Sequence, residues 1–311
     1  MKKNNISHLI CSLTHVNDYS LVFISGSDSK MCLQNQLTIN MDFLKIDSHV
    51  LCAHCNHHGK VLSVLRLFHY QNGYIYIQKK SISNDQIKEL KKYTIFYDIQ
   101  IITLSNYFLF GISGLNARRI LSVFFSDLPN MCKPVIFIRE FILLWFQDPE
   151  ERFLLIAQDL DLINLKKNML STFFIIEDNT WNVLDIAAGI PYITKKTSQK
   201  FLPQEINLDL FHGIDYQKGC YLGQEIISRV YFKRIKTRKL HTLLGISNIT
   251  PSIFSAIEMN DGILWKKVGF VFFVLRLKDH FFFIQCMLNN KVHIKNVFRL
   301  SVDPTSRFRF N

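Results

Sequence analysis

The sequence predicts an α+β protein, with a mixed region of about 230 residues followed by an all-β domain. In the first part, a strand-like run twice ends in Ser-Gly and leads into a helix-like run, in "FISGSDSK" and in "GISGLNAR". After about residue 240, β-rich runs alternate with Asn, Asp and Gly, which is typical of an antiparallel β-barrel. The chain has 311 residues, of which 48% are hydrophobic, so it can bury more than one core.

The first third of the chain predicts a strand, two helices and a hairpin. "LVFISG" is typical of a buried strand, and residues 27–40 continue at helical spacing after a cap at Ser27 or Asp28. "HVLCAHC" and "KVLSVLRLFHY" flank "NHHG", which predicts a hairpin. Residues 83–93 predict a polar amphipathic helix that opens with a Ser or Asn cap.

The middle of the chain repeats part of this pattern. The run 107–114 and the helix-like run after it resemble the earlier Ser-Gly corner, which suggests an internal repeat. Gly111 and Gly114 lack the full dinucleotide fingerprint, so they predict a strand-to-helix turn rather than a phosphate loop. Further elements are expected as two strands in 135–146, a strand in 151–157, and helices in 159–169 and from Asn179 or Thr180 to Gly189.

Charge and cysteine content restrict the class of protein. The net charge of +12 and the pI near 9.3 indicate a polyanionic partner, of which nucleic acid is the commonest, although compositional drift gives the same bias. Seven irregularly spaced cysteines indicate a reducing cytosol rather than a disulfide framework. No apolar run reaches the roughly 18 residues of a membrane helix, and "MKKNN" opens a poor signal peptide. We therefore expect a cytoplasmic protein without a membrane segment.

The stretch "CAHCNHHGK" contains a C-x-x-C beside three histidines, which are the ligand types that zinc prefers. Cys52 and Cys55 are three apart on a predicted strand, so they should point to opposite sides of the sheet. No second pair of ligands follows at zinc-finger spacing. We therefore expect no metal here, and interpret the histidines as incidental to the hairpin.

The stretch "KGCYLGQE" (218–225) places Cys220 just ahead of a predicted helix and next to Lys218. Both neighbours stabilise a thiolate, which favours nucleophilic, redox or iron–sulfur chemistry. The alternative is a tight turn between Gly219 and Gly223 in which a cysteine merely fits. Spacing alone leaves these two interpretations level.

A basic stretch, "SRVYFKRIKTRKL", follows directly and contains no acidic residue. Its charged side chains are Arg229, Lys233, Arg234, Lys236, Arg238 and Lys239. Basic side chains neutralise phosphates, and the interleaved Tyr231 and Phe232 can stack on unpaired bases, so the pattern suits RNA. A solvated basic face is the alternative.

Together these residues resemble the YgfZ family of folate-binding, tRNA-modifying proteins, which belongs to the T-protein superfamily and is related to the mitochondrial iron–sulfur assembly factor. The resemblance extends from about residue 19 to the end of the chain. It includes "ISGSDSKMCLQNQLT", "LCAHCNHHGKVLSVLRLF" and "WNVLDIAAGIP". Around Cys220, the residues that match the family signature are Lys218, Gly219, Tyr221, Gly223, Gln224 and Glu225.

The resemblance implies a folate-binding α/β region of two intertwined ferredoxin-like units over 1–235, the second at roughly 48–105. A C-terminal antiparallel β-barrel over 236–311 would complete a ring with folate at its centre. In the family, the signature cysteine is tied to activity, and two aromatic residues are associated with folate. These correspond to Cys220, to Trp181, and to Tyr19, where the family usually has tryptophan. From its residues alone, Trp181 could equally be a buried core side chain.

The function implied is that of a folate-binding accessory factor, rather than a turnover enzyme, that supports iron–sulfur enzymes and tRNA modification, with a role in replication-linked regulation through the modified tRNA. The expected partners of a monomeric chain are folate and either tRNA or tRNA-modifying iron–sulfur enzymes. One alternative is a tetrahydrofolate-dependent aminomethyltransferase, which needs a carboxylate placed for proton transfer at the folate amine. The sequence points to no such acid. The other alternative is an RNA-binding module without folate.

Overall fold

The computed structural model describes residues 11–158, 174–176, 179–235, 238–289 and 292–311. The helix predicted at 159–169 lies outside these ranges. Among the described residues, each helix is too short or too polar to cross a bilayer.

Among the described residues, helices and strands alternate up to residue 232, and every regular element after that is a strand. The strands are β1 (Ser12–His15), β2 (Tyr19–Ser25), β3 (His49–Cys55), β4 (Val61–Tyr70), β5 (Gly73–Lys79), β6 (Gln100–Thr103), β7 (Tyr107–Ser113), β8 (Val135–Ile138), β9 (Phe141–Phe146), β10 (Arg152–Gln158), β11 (Phe174–Ile176), β12 (Lys239–Ile246), β13 (Ala256–Asn260), β14 (Trp265–Lys278), β15 (Phe281–Leu288), β16 (Phe298–Leu300) and β17 (Asp303–Phe310). The α-helices are α1 (Ser29–Gln36), α2 (Lys80–Lys91), α3 (Ala117–Phe124), α4 (Thr180–Ala187) and α5 (Gln224–Phe232), and 3₁₀ turns cover Met41–Phe43 and Leu208–Phe211.

Two sheets in the α/β region share one topology, which confirms the predicted repeat. In the first sheet, the order is β3-β4-β5-β2-β6, and in the second it is β11-β1-β7-β10-β9-β8. In each, a strand and a helix lead into a three-strand meander whose last strand pairs antiparallel with the first, β5 with β2 and β10 with β7. The two Ser-Gly corners occupy equivalent places, with φ of +116° at Gly26 and +114° at Gly114. A Cβ on Gly26 would lie 2.2 Å from the Asp98 carbonyl oxygen, so the corner requires glycine.

Two predicted helix boundaries were wrong. Helix α2 begins three residues early, at Lys80, because β5 runs directly into it and Ser83 turns inward to accept a hydrogen bond from Gln78 (3.2 Å). Helix α1 ends at Gln36 rather than residue 40, because Leu37 leaves in an extended conformation and bridges to His54. Asp28 stands at the N-cap position of α1, but its carboxylate accepts from a neighbouring loop instead of capping the helix.

The C-terminal strands form a closed antiparallel barrel in the order β12-β15-β14-β13-β16-β17, as predicted. Closure is made by β17, which pairs with β12 on one side and β16 on the other. The interior is rich in phenylalanine, with Phe282, Phe298 and Phe308 all buried in one cluster.

A chain of buried polar side chains lies between α2 and the first sheet. Gln86 donates to the His54 ring (3.1 Å) and accepts from Tyr76 (2.9 Å) and Gln78 (2.9 Å), and Gln78 in turn accepts from Ser63 (2.7 Å). Burial lowers the pKa of His54 to about 4, because the protonated ring would lose its hydration and the charge of Glu89 offsets only part of that loss.

Acid should therefore destabilise the fold through His54. Between pH 6.5 and pH 4.5 the unfolded histidine binds a proton that the folded one excludes, so the free energy of unfolding should fall by about 2 kcal/mol from this residue alone. We expect His54→Gln to flatten the pH dependence by that amount, as measured by urea unfolding at the two pH values. His58→Gln, at an exposed position of the same hairpin, is the control and should leave the slope as in the native protein. Equal slopes for all three proteins would contradict the prediction.

Candidate functional site

A buried ammonium group lies where the first sheet meets α4. Lys79 is 7% exposed, and its Nζ lies 3.6 Å from the ring centre of Tyr19 and 3.7 Å from that of Tyr192. The same Nζ donates to the carboxylate of Asp18 (2.9 Å) and to the amide oxygen of Asn182 (2.8 Å). Burial lowers the pKa of Lys79 to about 8, although the charge of Asp18 opposes the shift.

Asp18 is the common acceptor of this cluster. Its Oδ2 accepts from Lys79, from the Asn182 amide (3.1 Å) and from the Tyr192 hydroxyl. Burial alone would raise the pKa of Asp18, but the charge of Lys79 and these hydrogen bonds outweigh it, so the pKa is lowered. The carboxylate thus joins the start of β2, the end of β5, α4 and the segment after α4.

A second carboxylate, that of Asp185, is held from two sides. Its Oδ2 accepts from the Tyr19 hydroxyl (2.6 Å), and its Oδ1 lies 2.8 Å from Nη1 of the fully buried Arg152. Asp185 and Arg152 are close enough to form an ion pair. However, neither terminal nitrogen of Arg152 makes a hydrogen bond of normal geometry to any of the described residues, so both nitrogens are incompletely satisfied donors.

The charges of the region are unbalanced. Arg66 is close enough to interact electrostatically with both Asp185 and Arg152, and burial lowers its pKa to about 10. Among the described residues, the cations of Arg66, Lys79 and Arg152 are accompanied by the carboxylates of Asp18 and Asp185, and Arg152 also interacts electrostatically with the less buried Glu150. The excess of buried positive charge in this part of the structure favours a ligand that carries carbonyl or carboxylate oxygens.

A small cavity of about 40 Å³, partly open to solvent, lies beside the cluster. Its polar lining comes from Arg66, Lys79 and Asp185, and the rest is aromatic or aliphatic. The full lining is Tyr19, Leu51, Val64, Arg66, Ile77, Lys79, Ile82, Phe146, Leu154, Trp181, Asp185, Ile190, Pro191 and Ile193.

The structure brings the two aromatic residues singled out in the sequence to this one cavity. Trp181 is 5% exposed and packs on the backbone of Gly111, where a Cβ would come within 2.2 Å of the indole. The edge of Phe146 and the guanidinium of Arg152 complete its surroundings, the latter 4.4 Å from the ring centre. Trp181 is therefore a core residue by burial and also part of the cavity wall, while Gly111 serves as its packing surface.

The barrel fixes one wall of the cavity. Tyr192 stacks on Phe273 of β14, with ring centres 3.7 Å apart and planes at 13°. Gln285 of β15, which is fully buried, accepts from the Tyr192 backbone (3.0 Å) and donates to the Ile190 carbonyl (2.8 Å). The segment after α4 is thereby clamped between barrel and cavity.

The signature stretch lies elsewhere, in a shallow depression that shares no lining residue with the cavity. Cys220 is exposed there, and His57, Glu225 and Ser228 line the same depression. His57 was predicted to be incidental to the hairpin, and the structure places it in the depression that holds the cysteine. The hairpin was the sequence signal for this arrangement, because the two residues are more than 160 positions apart.

Lys218 is buried and turned towards α1. Its Nζ donates to the carbonyls of Leu37 (2.9 Å), Ile39 (2.6 Å) and Gln34, at and just after the end of that helix. Burial lowers its pKa to about 8. The ammonium is thus committed to α1, whereas its position in the sequence had predicted that it would support the Cys220 thiolate.

The remaining signature residues shape the loop. Gly223 has φ +82° at the start of α5, and a Cβ there would lie 2.5 Å from the Asn56 carbonyl oxygen and 2.7 Å from Cα of Gly59. Gln224 donates to the Lys218 carbonyl (3.1 Å), which closes the loop. Tyr221 is buried under the ammonium of Lys218, 4.9 Å from its ring centre. The signature and the "NHHG" turn therefore meet backbone to backbone.

Four of the predicted RNA-contacting residues are exposed, namely Arg229, Lys233, Arg234 and Arg238. Lys239 differs, because it is half-buried and ion-paired with Asp209 (3.1 Å). Lys236 lies outside the described residues. None of these basic residues that the structure describes lines the cavity, so the structure does not gather them with Tyr19 and Trp181.

The C-x-x-C pair points to opposite sides, as predicted. Cys52 packs in the core around Cys32, and Cys55 packs with Tyr221 and Ile227 in another. In the part of the chain that the structure describes, no three His, Cys, Asp or Glu side chains group as metal ligands.

Comparison with solved structures defines the class of fold. The chain is similar to the glycine cleavage system aminomethyltransferase T from Bartonella henselae, with a TM-score of 0.78 and 14% identity. The match covers 97% of this chain and 85% of the other. The α/β region and barrel together therefore form a T-protein-like fold.

Sequence comparison is more specific. Residues 236–303 match the family model described as "YgfZ, beta-barrel domain". The chain is 43% identical to the "tRNA-modifying protein YgfZ" of Buchnera aphidicola subsp. Schizaphis graminum, over 94% of this chain and 92% of that protein. It is 35% identical to the protein of the same name from Yersinia enterocolitica, over 96% and 91%. The chain belongs to the YgfZ family, as its signature predicted.

The two signature glycines should differ sharply in their tolerance of a side chain. Gly223→Ala places a Cβ against the backbone of the hairpin turn at a positive φ, so we expect a loss of more than about 2 kcal/mol in the free energy of unfolding. Gly219→Ala is the matched control, because nothing lies within 4 Å of its Cβ position, and it should stay within about 0.5 kcal/mol of native. Urea unfolding measures both. Similar losses for the two variants would contradict the contact described.

Proposed function

We propose that this chain is a folate-binding accessory protein that supports tRNA modification by iron–sulfur enzymes. The observation that carries the proposal is the cavity beside Lys79 and Asp185, in which aromatic walls and an excess of buried cations meet. Two comparisons support it: the fold is that of an aminomethyltransferase of the glycine cleavage system, and the similar proteins are named tRNA-modifying.

The residues of the cavity suit a reduced folate. The Asp185 carboxylate can accept hydrogen bonds from the amino and ring N–H groups of a pterin, and Arg66 and Lys79 attract its carbonyl or the glutamate carboxylates. Trp181 and Phe146 offer aromatic surface to the ring. When bound, reduced folate would supply a carrier for one-carbon units.

Tyrosine at position 19 suits this site in a specific way. Its hydroxyl donates to Asp185 (2.6 Å), and its ring lies against the Lys79 ammonium. We infer that Tyr19 positions Asp185 for the ligand as well as presenting a flat ring. A tyrosine offers less stacking area than the tryptophan usual in the family, and the hydroxyl contact offsets part of that difference.

Cys220 is the proposed functional thiol. It is exposed, and Lys218, Tyr221 and Gly223 fix the loop around it. Its role is to hold or attack a sulfur, iron or one-carbon species that a client protein presents. The basic residues on α5 and after its end would contact tRNA or an acidic partner.

The cavity does not favour an aminomethyltransferase. Such an enzyme needs a carboxylate free to exchange a proton at the folate amine. Asp185 lies at the cavity but is ion-paired with Arg152 and bonded to Tyr19, and Asp18 is bonded to Lys79, Asn182 and Tyr192. The Asp185 carboxylate keeps lone pairs with which to accept hydrogen bonds from a pterin, but through these contacts both carboxylates already hold the site together.

Folate binding should depend on Trp181. We expect tetrahydrofolate to bind the native protein by calorimetry and to change tryptophan fluorescence. Trp181→Phe should weaken binding about fivefold, because it removes roughly 1 kcal/mol of aromatic contact. Trp265→Phe is the control, since Trp265 lies on the barrel between Arg299 and Arg307. A native protein that binds no tetrahydrofolate would overturn the cofactor proposal.

The thiol should be required in cells. A strain that lacks this protein and carries Cys220→Ala should show reduced tRNA methylthiolation, measured by mass spectrometry of digested tRNA. Cys132→Ala is the matched control, because Cys132 is also exposed but lies in the α/β region away from the signature. Full methylthiolation in the Cys220→Ala strain would exclude a chemical role for this residue.

A further inference from the structure

An open groove lies between the C-terminal end of α5, the 3₁₀ turn Met41–Phe43 and the segment that precedes the signature. It is distinct from the folate cavity and from the Cys220 depression. The residues of its lining that matter for binding are Phe43, Asp215, Tyr216, Tyr231 and Phe232.

Aromatic rings form the wall of this groove. Tyr231 stacks on Tyr216, with ring centres 3.7 Å apart and planes at 11°, and Phe232 meets Tyr231 edge-on at 5.2 Å. Tyr231 is 51% exposed, Phe232 66% and Phe43, across the groove, 77%. A stacked pair that presents this much aromatic area to water is a surface on which a further flat ring can lie.

The charges around the groove are positive. Lys233 and Arg234 follow the aromatic pair directly, and Arg229 precedes it, all with exposed side chains. The carboxylates of Asp215, Asp42 and Asp209 lie nearby in the described part of the chain, and each is engaged. Asp215 accepts from the backbone of Gln217 (2.7 Å) and of Lys218 (2.9 Å), and Asp42 pairs with Lys30 (2.6 Å). Asp209, whose charge acts on Tyr216, pairs with Lys239 (3.1 Å).

We propose that this groove binds a single-stranded segment of RNA, with an unpaired base stacked on the Tyr231 platform and the adjoining phosphates on Lys233 and Arg234. The inference rests on the proposed function and makes its RNA contact specific. Aromatic platforms bind bases that are unstacked, whereas bases inside a duplex are covered by their neighbours and lie in a groove too narrow to read. An acidic protein segment would use the same cations but would not require a flat ring.

The Tyr231 platform lies on the helix that follows the signature loop. Helix α5 begins at Gln224, directly after the signature loop, and Tyr231 lies seven residues further on, about 10 Å along the helix axis. A nucleotide stacked on Tyr231 would therefore lie on the same helix that carries the Cys220 loop. The stacking platform lies at the end of the helix whose start adjoins the Cys220 loop.

The test compares two RNA probes with the full-length protein by fluorescence anisotropy. One probe is a labelled single strand of about eight nucleotides, and the other is a duplex of about 16 base pairs. We expect native protein to prefer the single strand, and Tyr231→Ala to weaken its binding about tenfold without changing the salt dependence. Tyr231→Phe keeps the ring and should bind as native. Phe96→Ala, at a residue that is 95% exposed in the loop before β6, is the matched control and should also bind as native.

Charge variants provide a second, independent readout. Lys233→Gln and Arg234→Gln should each reduce the slope of log affinity against log salt by about 0.7, the value for one phosphate contact on a single strand. Circular dichroism and urea unfolding check that each variant is folded. If loss of the Tyr216 stack unfolds α5 in Tyr231→Ala, Phe232→Ala replaces it. We expect Phe232→Ala to weaken binding of the single strand about threefold.

The outcomes separate the inference from the proposed function. Salt-dependent RNA binding that Tyr231→Ala and Phe232→Ala leave unchanged, or equal binding of the duplex, overturns the stacking platform and leaves the general RNA contact in place. A native protein that binds neither probe overturns the RNA contact of the proposed function together with this inference.

Discussion

The architecture of the site depends on the ammonium group of Lys79. It is removed from water, placed between the rings of Tyr19 and Tyr192, and neutralised by Asp18. Burying a cation is costly, and the fold offsets the cost with a carboxylate, an amide oxygen and two aromatic faces. Because these partners come from the first sheet, α4 and the segment clamped by the barrel, satisfying one charge fixes the relative positions of all three.

The second organising contact is that between the signature and the hairpin turn. A Cβ on Gly223 would lie 2.7 Å from Cα of Gly59, and a Cβ on Gly59 would lie 3.0 Å from the Gly223 carbonyl oxygen, so a side chain is excluded at Gly223 and crowded at Gly59. Around this contact, Lys218 and Tyr221 are buried and Cys220 is left exposed. Most of the eight signature residues thus act on the shape of the loop, and one of them carries a reactive group to the surface.

Local features were predictable from the sequence because their causes are local. The "NHHG" hairpin, the Ser-Gly corners and the stop of α4 at Gly189 follow from turn chemistry within a few residues. The barrel followed from its repeated β-rich runs, and the family from its signature. The amino-acid sequence alone was therefore enough to predict the fold class, a helix that carries Trp181, and a loop that presents Cys220 ahead of α5.

What the sequence could not show was the pairing of distant polar residues. Asp18, Lys79 and Asp185 lie in separate elements, and the sequence around each of them contains no motif that predicts a shared site. The start of α2 at Lys80 was missed because the Ser and Asn residues at the start of 83–93 resemble N-caps, whereas the residues before them continue the pattern of a strand. Lys218 was assigned to its neighbour in sequence, whereas its charge is used by a helix about 180 positions earlier.

That long reach of Lys218 has a consequence for the order in which the chain acquires its structure. The carbonyls at the end of α1 have no glycine cap and find a donor in Lys218 instead. During synthesis the N-terminal helix emerges long before this lysine, so the end of α1 lacks its donor until residue 218, about 70% of the way along the 311-residue chain, has left the ribosome. The N-terminal unit is thus completed late, by the same loop that presents the thiol, so a chain cut short before residue 218 would lack both.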